Sequence, residues 1–227
     1  MRAAKLAENN FAFLLGGLLL FLVAVPSLRL FLGVTVNVGV MREGLLVGFS
    51  LLTLISVWSL QERRGTFRFG LVLSLLLTLL AFVGHHYHSH VVLLCAGLIL
   101  IAFSVLSCVI AVQDVFGWRK ADTNILMGAV CIYLLLGLIW AILYAMFAIL
   151  WPEASFSGLQ YEENRLQFDS FLYFSFVTLT TAGYGDITPV NPLIRTLAYL
   201  EMITGQFYMA VLVAGLVGLF MRQRNPR

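Results

Sequence analysis

Long apolar runs separated by short polar breaks dominate the chain, and runs of about 20 residues cross roughly 30 Å of hydrocarbon as helices. Six such runs predict spans near Phe11–Leu32, Gly44–Leu60, Phe69–Gly84, Val91–Val112, Ile125–Trp151 and Leu193–Phe220. A seventh apolar stretch, DSFLYFSFVTLT at 169–180, is about 18 Å long at the helical rise and too short to cross. It reads as a re-entrant helix, a form tolerated only where the irregular backbone that follows is buried in protein or lines water. Asp169 or Ser170 is expected to cap its N-terminus.

Composition sharpens this picture. At 61% hydrophobic and 11% charged residues, the chain lies outside the range of soluble domains and reads as an all-α membrane protein. The net charge of +3 comes without a long basic run, which argues against a nucleic-acid partner. Arg2 and Lys5 precede the first run as they would in a signal peptide. The run continues past Pro26 with no small-residue cleavage site, so it is kept as an anchor. Cys95, Cys108 and Cys131 fall in apolar runs and are expected to be small core residues.

Of the 14 Lys and Arg residues, ten fall on one side of the predicted spans and four, Arg29, Arg42, Arg165 and Arg195, on the other. The positive-inside rule then puts both termini in the cytosol and the 152–192 loop outside, in a plasma or inner membrane.

That loop contains TTAGYGD at 180–186. Gly183 and Gly185 can take left-handed backbone at no steric cost, and alternating handedness turns successive carbonyls to the same side. Residues Thr181 to Tyr184 then form a ladder of oxygens, with the Thr181 hydroxyl as a lower rung. One ladder cannot replace the water around an alkali ion, whereas four around an axis can, so the pattern implies a tetramer. The negative dipole end of the 169–180 helix would favour a cation just before the glycines.

TTAGYGD resembles the selectivity filter of tetrameric pore-loop potassium channels. The resemblance runs from about 125 to 220 and is strongest over 173–205. It implies six transmembrane helices plus a pore helix and filter, assembled as a homotetramer that passes K+ passively, with no enzymatic activity and no organic cofactor. The ion-binding residues carried over are Thr181, Ala182, Gly183, Tyr184 and Gly185, with K+ at the first four. Ala182 departs from the usual valine, which bears on filter packing rather than on the carbonyl that serves as ligand. Filter support falls to Tyr173, Phe174, Thr180 and Asp186; Tyr173 and Phe174 stand where tryptophans are usual, and Asp186 stands at the outer mouth. Gly205 takes the hinge position of the inner helix, with close helix packing as the other explanation.

Helical periodicity places Gln206, Met209, Val213, Ala214 and Val217 along one face, a candidate cavity and hydrophobic gate, or else ordinary buried contacts. Glu201 is the one acid inside the last span, where burial costs about 2.5–3.5 kcal/mol on insertion scales. It is expected near the pore helix, bonded to Ser or Thr as a structural protonated group, or adding negative potential to the ion path. His85, His86, His88 and His90 form a cluster that could take a transition metal or a proton, or serve only as interfacial residues.

The layout is similar to voltage-gated channels, yet the fourth run has no Lys or Arg. A voltage sensor needs several, each extracting about 2.3 kcal/mol per 100 mV, so strong voltage gating is not expected. The domains read as 1–113 peripheral four-helix domain, 114–124 interfacial linker, 125–221 pore domain with filter 181–185, and 222–227 short cytosolic tail. Three other classes stand beside this reading. A potassium transporter would need four joined pore repeats. A metal-dependent membrane oxidase lacks enough further ligands. A nonselective cation channel of the same architecture is the nearest alternative.

Overall fold

The computed structural model describes residues 10–32, 72, 74–76, 79–80, 90–117, 123–151, 155–159 and 168–224. Its helices are α1 (Asn10–Leu32), α2 (His90–Gly117), α3 (Thr123–Leu150), α4 (Phe168–Leu179) and α5 (Pro192–Arg224). Two short strands, β1 (Phe156–Ser157) and β2 (Thr188–Pro189), complete the described elements.

The described fold is therefore mostly helical, with three helices long and apolar enough to cross a membrane: Leu94–Gln113, Asn124–Leu150 and Pro192–Gly215. The expected span at 44–60 lies outside the described residues, as does most of the one at 69–84.

The chain divides into two compact units, Met1–Val115 with Thr123–Cys131, and Phe116–Asp122 with Ile132–Arg227. In the first, α1 buries Leu14, Leu18 and Phe21, α2 buries Leu100 and Phe103, and the start of α3 buries Ile125, Ala129 and Cys131. Of the three cysteines expected in the core, only Cys131 is there; Cys108 is half-buried and Cys95 is exposed. An apolar run in a membrane can point a cysteine outward as readily as inward, and composition does not register the difference.

In the second unit α4 is held between α3 and α5. Gly137 of α3 leaves room for the Phe176 ring, whose nearest atom would stand 2.5 Å from a Cβ built there. Gly205 of α5 does the same for the end of α4, where the Leu179 carbonyl oxygen would be 2.1 Å from a Cβ. A cluster of rings closes the end near β1: Tyr144 and Phe174 have centroids 5.0 Å apart, and Phe156 of β1 lies 5.1 Å from Phe174 and 5.8 Å from Tyr144. Such edge-to-face pairs suit the ring quadrupole.

Two helix starts follow from local chemistry. Asn191 caps α5 by accepting from the Leu193 amide at 2.9 Å, and Pro192, which has no amide hydrogen to satisfy, opens the helix. In α4, Phe168 is already helical and Asp169 lies in the first turn. There its carboxylate still meets the positive end of the helix dipole. Ser170 also lies within the helix.

Candidate functional site: the loop between α4 and α5

The site begins where α4 ends. The Thr181 amide donates to the Thr178 carbonyl at 2.9 Å, and the Ala182 and Gly183 amides both donate to the Val177 carbonyl, at 2.9 and 3.3 Å. With the Thr180 amide, which donates to the Phe176 carbonyl at 3.0 Å, the first four amides of the loop are thus turned back onto the helix, satisfying carbonyls that a helix end leaves without partners. The Thr180 hydroxyl does likewise, donating to the Phe176 carbonyl at 2.7 Å, so it ties the loop to the helix.

Beyond this point the backbone alternates. Thr181, Gly183 and Gly185 have φ of 58°, 54° and 80°, while Ala182 and Tyr184 stay at negative φ. The glycines accept this conformation freely; a threonine does so at about 1–2 kcal/mol. Among the described residues Thr181 is the one non-glycine with positive φ. Its hydroxyl accepts a hydrogen bond from the Gln206 amide of α5 at 3.2 Å. No hydrogen bond among the described residues is donated to the carbonyls of 181–185, and these residues are exposed. Neutral, hard oxygens without partners are the ligand type a monovalent cation accepts in place of water.

Tyr173 and Tyr184 stack with centroids 6.5 Å apart and planes 9° from parallel. The Tyr173 hydroxyl donates to the Asp186 carboxylate, which holds its pKa above the usual tyrosine value. Phe174, its neighbour, turns instead into the ring cluster with Tyr144 and Phe156 and anchors α4 to α3.

One support has no counterpart in the reading of the sequence. β1 pairs antiparallel with β2, Phe156 opposite Pro189 and Ser157 opposite Thr188, and the Val190 amide donates to the Ser155 carbonyl at 3.0 Å. Gly158, at φ 85°, follows this pairing, and the Asp186 carbonyl oxygen would be 1.8 Å from a Cβ placed on it. The loop before α4 is therefore laced to the segment that leaves TTAGYGD. Two-residue strands are too short to show a hydrophobic period; Gly158 was the available signal.

Along α5, Gln206, Met209, Val213 and Ala214 share one groove of about 780 Å³ with Ala210, Gly218 and Met221. The Val217 side chain lies outside the described ones. The helix continues unbroken through Gly205, whose position is accounted for by the close approach of Leu179. Glu201, fully buried, accepts from Tyr144 of α3 and stands 2.5 Å from the Ser175 hydroxyl of α4. His85, His86 and His88 lie outside the described residues; His90 starts α2, and its side chain is not among those described.

Residues 128–222 match the family model described as an ion channel. No curated protein and no solved structure matches the chain. The matched segment contains α4, TTAGYGD and most of α3 and α5. Together with the apolar helices it supports a membrane protein that works as an ion channel, and it points to transport without enzymatic chemistry.

Proposed function

We propose that the chain forms a potassium-selective channel, a homotetramer in which four copies of residues 181–185 surround one axis and pass K+ down its gradient. The observation that carries this reading is the alternation of backbone handedness at Thr181, Gly183 and Gly185 in a loop whose amides are tied to α4. Alternation aligns the intervening carbonyls, and tying down the amides leaves the oxygens as the free face. A ladder of carbonyls binds a cation firmly enough to admit it and weakly enough to release it.

In this reading Thr181, Ala182, Gly183 and Tyr184 supply the ion ligands, and Gly185 permits the turn at the outer end. Tyr173 and Asp186 steady the mouth through their hydrogen bond, and the groove beginning at Gln206 lines the inner approach. Helix α2 has no Lys or Arg and so lacks the row of positive charges that a membrane potential would move, which leaves opening not strongly voltage-dependent.

Reconstituted protein in planar bilayers, with potassium on one side and sodium on the other, tests this directly. The expected reversal potential lies close to the potassium equilibrium value. A value near zero, with current present, makes the pore a nonselective cation channel instead.

A further inference from the structure

Glu201 lies in the first third of α5 with 0% of its surface exposed. Its Oε2 is 2.6 Å from the Tyr144 hydroxyl and its Oε1 is 2.5 Å from the Ser175 hydroxyl. The same Ser175 oxygen is 2.7 Å from the carbonyl oxygen of Gly137. A serine hydroxyl has a single proton, and a backbone carbonyl can only accept. If Ser175 donates to Gly137, its short contact with Glu201 has no proton unless the carboxyl brings one. If Ser175 donates to Glu201, the contact with Gly137 is the one left without a proton.

We propose that Glu201 works as a neutral carboxylic acid and as a positioning residue for α4. Its Oε1 holds the proton and donates to Ser175; Ser175 donates to the Gly137 carbonyl; Tyr144 donates to Oε2. Every contact then has one donor and one acceptor. An ionised carboxylate leaves one of them unpaired, and it does so inside a span where charge is costly and no salt bridge to Glu201 forms among the described residues. The titratable groups that face it are Tyr144, which is bonded, and Tyr133, both from α3; α4 presents only the Ser175 hydroxyl.

The relay joins three helices at one acid: Tyr144 and Gly137 on α3, Ser175 on α4, Glu201 on α5. Ser175 stands two and three residues before Val177 and Thr178, whose carbonyls hold the amides of Thr181, Ala182 and Gly183. Glu201 therefore acts on the loop through α4 without touching it, and it does so whichever ion the pore passes.

Infrared difference spectra of membrane-reconstituted wild type minus Glu201→Gln, at neutral pH, read the proton without any current. Their failure is thus separable from failure of the conduction reading. The expected result is the C=O stretch of a protonated carboxylic acid, absent in the variant and moved to higher frequency in Ser175→Ala, which removes the acceptor. Carboxylate bands in its place, or a band unmoved in Ser175→Ala, overturn the proposal. In bilayers, Glu201→Gln keeps the wild-type reversal potential, because its amide offers one donor to Ser175 and one acceptor to Tyr144, whereas Glu201→Ala loses it. Equal behaviour of the two variants overturns the positioning role; should Glu201→Ala not assemble, the infrared shift in Ser175→Ala decides.

Discussion

The carbonyl oxygen of Leu179, at the end of α4, occupies the space beside Gly205 of α5 where any side chain would begin, 2.1 Å from an ideal Cβ. The two helices meet backbone to backbone at the point where TTAGYGD starts. Gly205→Ala is therefore expected to destabilise the protein by about 1–3 kcal/mol, the usual cost of overpacking. A lower thermal midpoint of the purified protein checks it. Were Gly205 a hinge and nothing more, alanine would improve helix propensity by about 1 kcal/mol and raise the midpoint.

Gly158 combines φ 85° with the Asp186 carbonyl against it. Gly158→Ala meets left-handed strain of about 1–2 kcal/mol as well as the backbone overlap. The variant is expected to insert normally and to show a lower thermal midpoint with reduced current, since the overlap falls on Asp186, next to TTAGYG. A midpoint and current equal to the wild type would show that the lacing of 155–159 to 186–190 has no influence there.

The hydrogen bond from Tyr173 to Asp186 keeps the phenol protonated past its ordinary pKa of 10.0. A raised pKa in the folded state means that the contribution is complete below the unfolded value and vanishes as pH rises through the folded one. Ion selectivity is thus expected to stay constant from neutral pH to about pH 10, the ordinary tyrosine value, and to fall above it as tyrosinate meets carboxylate. Reversal potentials recorded across this range check the sign, and Tyr173→Phe removes the alkaline limb. A wild-type loss centred near neutrality contradicts the assignment.

Gln206 donates to the hydroxyl of Thr181, the residue that bears the left-handed strain. Removing such a bond costs about 0.5–1.5 kcal/mol. Gln206→Ala is expected to lower the potassium-to-sodium permeability ratio by about two- to tenfold, the same energy expressed as a ratio. Bi-ionic reversal potentials measure it; an unchanged ratio leaves Gln206 as a cavity residue only.

Much of this was legible in the linear pattern. Apolar length predicted spans at 91–112, 125–151 and 193–220, and helices occupy His90–Gly117, Thr123–Leu150 and Pro192–Arg224. A mostly apolar stretch too short to cross became α4, and two alternating glycines marked two of the loop's three left-handed positions, Thr181 being the third. Each of these is a local property: hydrophobic length, or the missing Cβ of glycine.

Residues far apart in sequence were another matter. Cys95 and Cys131 look alike in their apolar runs, and only packing makes one exposed and the other buried. Phe174 stands beside Tyr173 in sequence, yet helix rotation sends it into a ring cluster while Tyr173 meets Tyr184 and Asp186. By itself the sequence determined that this chain is a membrane protein with a short apolar helix ahead of a glycine-alternating loop, because hydrophobic length and backbone freedom are written residue by residue. Tertiary structure alone decided that Gly205 receives a carbonyl, that Gly158 admits Asp186, and that Glu201 meets Ser175 and Tyr144. Those are contacts between segments separated by up to 57 positions, and they exist only once three helices have been packed together.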